Sequence, residues 1–240
     1  VVIGHGMLAT SFAAYAQVPD VCVFASGVSN SKTRDELAFQ REEKLLRATL
    51  TTHSAVQFLY FSTCSIYDPA ERDSAYCQHK LRMEALIQEL SQNFIIFRVS
   101  QILGHSSNPN TLINFLLHTV TTGQHFELWE DAYRNIIGID EVVRIVDYIV
   151  RLQPFPNRII NIACPYNLTV REVVECVEHY TGRKALYSNV PKGAGNYPID
   201  TTAIQPILQE LGITFPSNYL TILLHQFFGD TLSFQHSIIE

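Results

Sequence analysis

At 240 residues, 47% of them hydrophobic and 17% charged, the chain can bury one substantial core plus a small lobe, which excludes an intrinsically disordered protein. Its formal net charge is −6 and its basic residues are scattered rather than gathered into a stripe, which argues against a nucleic-acid surface. No apolar run reaches the roughly 18 residues that span a bilayer, and no basic segment precedes a cleavage site, so a soluble protein without a membrane span is expected.

The first element is Val1-Val2-Ile3-Gly4-His5-Gly6-Met7-Leu8-Ala9, an apolar run entering Gly-x-Gly-x-x-Ala, followed by a helix expected to reach about residue 17. In a dinucleotide fingerprint the first glycine permits the tight turn and the second lets backbone approach a pyrophosphate. The small third residue allows close helix-to-strand packing, while the helix N-terminus attracts anionic phosphate. The plainer alternative is a glycine turn joining a buried strand to a helix. Val1 falls inside the expected strand, so a few upstream residues are expected to be absent from this sequence.

Residues 21–25 read as a second strand leading into Ala25-Ser26-Gly27, small residues that admit a ligand and also make ordinary turns. A long helix is expected over residues 32–52. Gln57-Phe58-Leu59-Tyr60-Phe61 then reads as a buried strand that delivers Ser62 and Thr63 to its C-terminal edge, where open parallel sheets bind ligands. Ordinary strand capping by hydroxyl residues is the alternative there.

The pattern richest in chemistry is Tyr76-Cys77-Gln78-His79-Lys80, with Tyr76 thirteen residues beyond Thr63. If residues 74–90 are helical, Tyr76, Lys80, Met83, Ile87 and Leu90 share one stripe. An ammonium one turn from a phenol favours phenolate. Bringing a phenol from about 10 toward neutrality takes roughly 4 kcal/mol of differential stabilisation, after which it serves as a general acid or base. The alternative is a tyrosine packed on a helix with its lysine snorkelling to water.

Farther along, helices are expected over residues 111–122 and 140–152 and a strand over 161–163. Two more helices are expected over 169–181, capped by Thr169 and stopped by Gly182, and over 200–211, capped by Asp200 and stopped by Gly212. Lys192-Gly193-Ala194-Gly195-Asn196 reads as a surface turn, with a substrate flap carrying a phosphate-facing lysine as the alternative. Residues 219–228 are apolar enough for a docking helix. The fold expected is α/β, a shortened Rossmann-like parallel sheet with a small C-terminal substrate lobe. Residues 1–155 form a dinucleotide-binding type of core and residues 156–240 the smaller substrate-binding lobe, interleaved with it.

Five cysteines without CxxC spacing fit reduced thiols in the cytoplasm. Cys64 lies beside Thr63, but a thiol nucleophile needs a matched histidine, and His79 is only a helix neighbour of Tyr76, so cysteine catalysis is disfavoured. The nine histidines show no metal-ligand spacing, and no metal site is expected.

Taken in order, the glycine fingerprint, Thr63, Tyr76 and Lys80 resemble the extended short-chain dehydrogenase/reductase family, especially its nucleotide-sugar epimerases, dehydratases and 4-ketoreductases. Phe97-Arg98-Val99-Ser100-Gln101-Ile102-Leu103-Gly104 is similar to that family's strand and loop after the catalytic helix. Arg134-Asn135-Ile136-Ile137-Gly138-Ile139-Asp140-Glu141-Val142 resembles its "R-D-hydrophobic-I-H-V-x-D" segment. Ile160-Asn161-Ile162-Ala163 with Thr169 and Thr181-Gly182 resembles its substrate-domain strand and helix. The resemblance implies NAD or NADP, held by Gly4, Gly6, Met7, Leu8, Ala25, Ser26, Gly27 and Lys80. It implies a nucleotide-sugar substrate met by Thr63, Ser65, Gln101 and Arg134, and catalysis by Thr63, Tyr76 and Lys80. In those roles Tyr76 moves the proton, Lys80 lowers its pKa and binds the nicotinamide ribose, Thr63 bonds the reacting oxygen, and Arg134 forks onto the phosphates. A surface arginine is the alternative for Arg134. A homodimer through the helices at 32–52 and 74–90 is also implied.

The chain departs from that family in three places. Only one strand-like run separates the glycine helix from the strand before Thr63, so the adenosine-side unit between the usual second and third strands reads as deleted, with no acidic residue to grip a ribose hydroxyl. That leaves the first strand at the sheet edge, which invites pairing. The segment from Thr63 to Tyr76 is short. Finally, Cys64-Ser65 stands where the sugar dehydratases carry Asp-Glu, which makes dehydration by that route unexpected. The expected function is an NAD(P)-dependent oxidoreductase or epimerase on a nucleotide-linked sugar, for surface polysaccharide synthesis. Two alternatives remain, a non-catalytic scaffold derived from the family and a cofactor-free sugar isomerase.

Overall fold

The computed structural model describes residues 1–152 and 157–236. In chain order, the first half comprises β1 (Val2–Ile3), α1 (Met7–Ser11), β2 (Val21–Phe24), α2 (Glu36–Thr52), β3 (Gln57–Thr63), α3 (Ala75–Leu90), β4 (Phe94–Val99) and β5 (Gln101–Leu103). There follow α4 (Leu112–Thr122), β6 (His125–Asp131), β7 (Tyr133–Arg134), β8 (Ile136–Gly138), α5 (Ile139–Leu152), β9 (Arg158–Ile162), β10 (Leu168–Thr169), α6 (Val170–Thr181), β11 (Leu186–Gly193), α7 (Gln205–Leu211) and α8 (Tyr219–His236).

Five strands form one parallel sheet in the order β1-β2-β3-β4-β9. Buried parallel strands are apolar on both faces, and alternation assigns each side chain to a layer. Val21, Val23, Leu59, Phe61, Ile95 and Phe97 face the layer that includes Phe12 and, from α5, Ile145 and Val146. Cys22, Phe24, Phe58, Tyr60, Phe94 and Ile96 face the opposite layer with Leu46 of α2 and Met83 and Ile87 of α3. Fully burying side chains of this size stabilises the fold by about 1.5–3 kcal/mol each. The architecture is the α/β Rossmann-like sheet expected, with β1 at one edge.

A second cluster, built from α4, α6, α8 and the β6–β11 pair, includes Leu116, Val120, Leu128, Val173, Val177, Leu220, Leu223 and Leu224. Leu8, Ile102, Val143 and Phe215 pack against both this cluster and the main core. The boundary expected at 155/156 lies outside the described residues.

Local chemistry explains where the elements start and stop. Asp35 caps α2, its carboxylate accepting the Leu37 and Ala38 N–H groups, so that helix begins four residues later than expected. Thr169 and Glu172 form a reciprocal capping box at α6, and Gly182 and Gly212 close α6 and α7 in the left-handed conformation. The helix expected to run to residue 17 is only α1, continued by a 3-10 turn at Ala13–Gln17. Leu90, expected on the buried stripe of α3, is 42% exposed at the end of the helix. The turn expected at residues 192–196 is corrected too. β11 runs through Lys192 and Gly193 alongside β6, and Lys192 Nζ sits 2.7 Å from Glu127 Oε2, paired to a carboxylate of the neighbouring strand.

Candidate active site

The glycine turn lies between β1 and α1. Gly4 adopts φ +133°, and a Cβ there would collide with the Ala25 carbonyl, so only glycine lets this turn lie against the end of β2. Gly6 differs. It caps α1 with φ −81° and ψ −177°, a conformation open to any residue, and a Cβ there would meet nothing within 4 Å. The space over Gly6 is therefore open, and no side chain caps the N-terminus of α1 that Met7 and Leu8 begin. Met7 Sδ reaches the Gly104 position beyond β5.

β3 ends at Thr63, which caps a 3-10 turn at Cys64–Tyr67. Thr63 Oγ1 accepts the Ser65 N–H at 3.0 Å and donates to Ser65 Oγ at 3.0 Å. Helix α3 starts after Ser74, whose hydroxyl accepts the Cys77 N–H at 3.2 Å, and its first turn carries Tyr76 inward to 9% exposure. Burial pushes the Tyr76 phenol well above its ordinary value; the Thr63 hydroxyl opposes this, while Cys77 and Glu42 add to it.

Lys80 Nζ lies 6.0 Å from the Tyr76 ring centroid, and its hydrogen bonds run elsewhere, to Glu42 Oε1 and Tyr60 OH, both at 3.1 Å. The ammonium is thus paired with the Glu42 carboxylate, with the Tyr76 ring at its side. Glu42, on α2, is 3% exposed and receives four groups. Oε1 takes Tyr60 OH at 2.8 Å and Lys80, and Oε2 takes the Val28 N–H at 2.7 Å and His79 Nε2 at 2.9 Å. Burial raises the Glu42 carboxyl, but the Lys80 charge and the bonds from His79, Val28 and Tyr60 outweigh it and bring the carboxyl down to about 2. The loop after β2 closes over this cluster, since a Cβ on Gly27 would stand 2.5 Å from Lys80 Nζ.

On the other side of Thr63, Arg134 Nη1 donates to Tyr133 O at 2.6 Å and lies 3.6 Å from Asp68 Oδ2, with both side chains largely buried. Asp68 follows the 3-10 turn, so Arg134 is joined to the Thr63 segment through it. Tyr197 is buried near the same pair, and burial, with Asp68 next, raises its phenol to about 12. Gln101 is exposed at the start of β5, and among the described residues no hydrogen bond joins its side chain to the others. Ser26 is half-buried beside Gly27. Cys64 is buried with Sγ 3.1 Å from Arg98 O, and burial pushes its thiol up to about 12, too high for a base near neutrality. All five cysteines are free thiols. Among the described residues no cluster of His, Cys, Asp or Glu is arranged to hold a metal, and no helix is long and apolar enough to cross a membrane.

Glu42, Asp68, Tyr197 and Ser100 were not singled out from sequence. The signal for Glu42 was its place on the buried helical stripe Phe39, Glu42, Leu46, Thr49 and Leu50. Ser100, just past β4 on the sheet edge that carries Thr63, has a buried hydroxyl without a hydrogen-bond partner.

Comparison with solved structures finds the same fold repeatedly. The complex of Thermus thermophilus UDP-glucose 4-epimerase with NAD superposes with a TM-score of 0.68 at 15% identity, over 90% of this chain and 80% of that one. Bacillus cereus UDP-glucuronic acid 4-epimerase with UDP-glucuronic acid and NAD gives 0.69 at 18% identity, over 89% and 75%. RMD from Pseudomonas aeruginosa with NADPH gives 0.66 at 14% identity, over 87% and 80%. No curated protein matches the chain. The sequence profile of the NAD dependent epimerase/dehydratase family matches residues 10–163, a stretch that begins after the glycine turn and contains Thr63, Tyr76, Lys80 and Arg134. More than half of the chain thus fits that profile on the fold it requires, and the chain belongs to the NAD dependent epimerase/dehydratase family.

Proposed function

We propose that the chain is an NAD(P)-dependent oxidoreductase or epimerase acting on a nucleotide-linked sugar, with Tyr76 as the acid/base. The observation that carries this reading is the placing of Thr63 at the C-terminal edge of a parallel sheet with the inward-facing Tyr76 on the helix that follows, in a sheet whose edge strand leads into a glycine turn with open space over Gly6. The residues present fit a dinucleotide. The space over Gly6 is open to a ligand, and the orphaned Ser100 hydroxyl lacks the partner that a bound polar group would supply. Gly4, Gly6, Met7 and Leu8 would hold its phosphates, with Ala25, Ser26, Gly27 and Lys80 along its ribose side. When bound, it would accept or supply a hydride at a sugar carbon.

The chain's own groups account for the proton. Tyr76 OH would exchange a proton with the sugar oxygen, while Thr63, already ordered by Ser65, would hold that oxygen in line. Ser65 and Gln101 would contact the sugar, and Arg134 would face the substrate phosphates. The Cys64-Ser65 pair, with its high thiol pKa, supports reduction, oxidation or epimerisation over elimination. Related structures bound to UDP-glucose and UDP-glucuronic acid support a nucleotide sugar as the substrate class. The competing reading, a scaffold without turnover, is favoured by one observation: β1 is a two-residue strand at the sheet edge, which leaves little wall on the adenosine side.

The test is an assay of the purified protein with a panel of nucleotide sugars and their 4-keto forms, following nicotinamide absorbance and, for epimerisation, product stereochemistry. Turnover of at least one sugar is expected. No turnover of any, in folded protein that binds the dinucleotide, would contradict the enzyme and favour the scaffold.

A further inference from the structure

Beyond Thr63 the chain leaves the sheet. Its register with β4 ends where Thr63 pairs with Val99, and residues 64–67 turn away as a 3-10 helix. The Thr63 hydroxyl takes its direction from this turn, because Oγ1 both accepts the Ser65 N–H and donates to Ser65 Oγ. The turn is held by an ion pair between α3 and β4. Arg98 forks onto Glu84, with Nε 2.9 Å from Oε1 and Nη2 2.6 Å from Oε2, and the Glu84 side chain is 3% exposed. Three contacts tie the Thr63 segment to that pair. Ser62 Oγ donates to Glu84 Oε1, Cys64 Sγ lies 3.1 Å from Arg98 O, and Arg98 Nη1 donates to Tyr67 OH at 3.0 Å. Tyr67 OH in turn donates to Asn161 Oδ1 of β9, also at 3.0 Å. The phenol is thus held on both sides, as acceptor from β4 and donor to β9.

We propose that Tyr67 is a positioning residue that acts through Ser65 on Thr63: its hydroxyl, clamped between Arg98 and Asn161, fixes the far end of the 3-10 turn and so aims the Thr63 hydroxyl at the place of the reacting oxygen. Ser62 and Tyr67 bracket the turn. With both ends held, Ser65 has one place to stand and the β-branched Thr63 side chain one rotamer. Glu84 lies on the helix that carries Tyr76, so the Thr63 turn and Tyr76 share one anchor. Releasing the Tyr67 end frees Ser65 to shift, and a misplacement of about 1 Å at a positioning group costs on the order of 10²-fold in rate. This inference rests on the reading of Thr63 as the group that holds the sugar oxygen, but its first measurement needs neither dinucleotide nor sugar, so the two can fail separately.

That measurement is of NMR three-bond couplings to the Thr63 methyl carbon in the ligand-free protein, which report rotamer populations. The wild-type protein is expected to show a single rotamer. Tyr67→Phe, which keeps the ring and removes only the hydroxyl, is expected to show averaged couplings. Arg98→Lys keeps a positive charge beside Glu84 but lacks the second arm that reaches Tyr67, and the same averaging is expected there. Averaged couplings in the wild type, or unaltered single-rotamer couplings in either folded variant, would overturn the proposal. So would failure of both variants to fold, since the hydroxyl would then support the whole fold rather than aim Thr63. On a sugar that is turned over, Tyr67→Phe is expected to lower kcat by about 10–10²-fold with KM within about twofold. In a Thr63→Val background the same substitution is expected to change kcat by less than about twofold, because the group it aims is already gone. An equal fall in both backgrounds would make the two residues independent and overturn the proposal. Absence of turnover by the wild type would count against the enzyme and leave the rotamer measurement to decide the role of Tyr67.

Discussion

Replacing Tyr76 by Phe is expected to lower turnover by about 10²–10⁴-fold, the usual contribution of a positioned proton-transfer group. Stability should barely change. The phenyl ring still fills the buried place of the tyrosine ring at the head of α3, and Thr63 Oγ1 keeps both of its Ser65 bonds, so no buried acceptor is abandoned. The expected cost is no more than that of one net hydrogen bond, about 0.5–1.5 kcal/mol. Steady-state kinetics on the identified substrate, paired with a denaturant unfolding curve, separates the two effects. Unchanged turnover would mean that another group moves the proton. Turnover lost together with folding would mean that the hydroxyl is structural.

The second large effect belongs to Glu42. Its folded-state carboxyl, brought to about 2 from 4.5, contributes stability that is fully present above about 4.5 and is lost as the pH falls through about 2. The shift corresponds to roughly 3 kcal/mol, on the order of a quarter to a half of what holds a typical domain folded. Glu42→Ala is expected to cost about 3–5 kcal/mol at neutral pH, because it leaves Lys80 buried without its counter-charge and strips Val28, Tyr60 and His79 of an acceptor. Urea unfolding of both proteins between neutrality and acid checks this. The wild-type curve should descend toward low pH, and the variant should start lower and lose this part of the descent. A variant within about 1 kcal/mol of the wild type at neutral pH would place the pair in the class of ion pairs that add little.

The contrast between Glu42 and Glu43 shows where the sequence stops speaking. They are neighbours in the charged run Arg41-Glu42-Glu43-Lys44. Glu43 pairs with Arg47 at 2.9 Å near the surface, while Glu42 faces the core and meets four polar partner atoms from three elements. The 3.6-residue stripe from Phe39 to Leu50 marks Glu42 as inward, but its partners come from residues up to 38 positions away, which no local pattern encodes. The same limit explains Lys80. Its i,i+4 spacing from Tyr76 was plain, yet where its ammonium points is decided by a carboxylate on another helix.

What was legible had a local cause. Alternation along β2, β3 and β4 set both faces of the sheet, the Gly4 turn required its φ, and the Thr169 and Gly182 caps fixed α6. The run from Lys192 to Asn196 misled because its glycines signal a turn, whereas pairing with β6 carried the strand through Gly193. Asp68 and Tyr197 reach Arg134 from distant segments, so that pocket could be seen only after folding.

The most direct test of the central claim, that this fold works on a dinucleotide, is calorimetric titration of the purified protein with NAD, NADH, NADP and NADPH, with Gly6→Val as control. The backbone there is one that any residue adopts and a Cβ meets no atom within 4 Å, so a valine would extend into the open space over the turn. Binding of at least one of the four, abolished in a Gly6→Val protein that remains folded, is the predicted result. Absence of binding to all four by the folded wild-type protein, or binding that survives Gly6→Val undiminished, would contradict it.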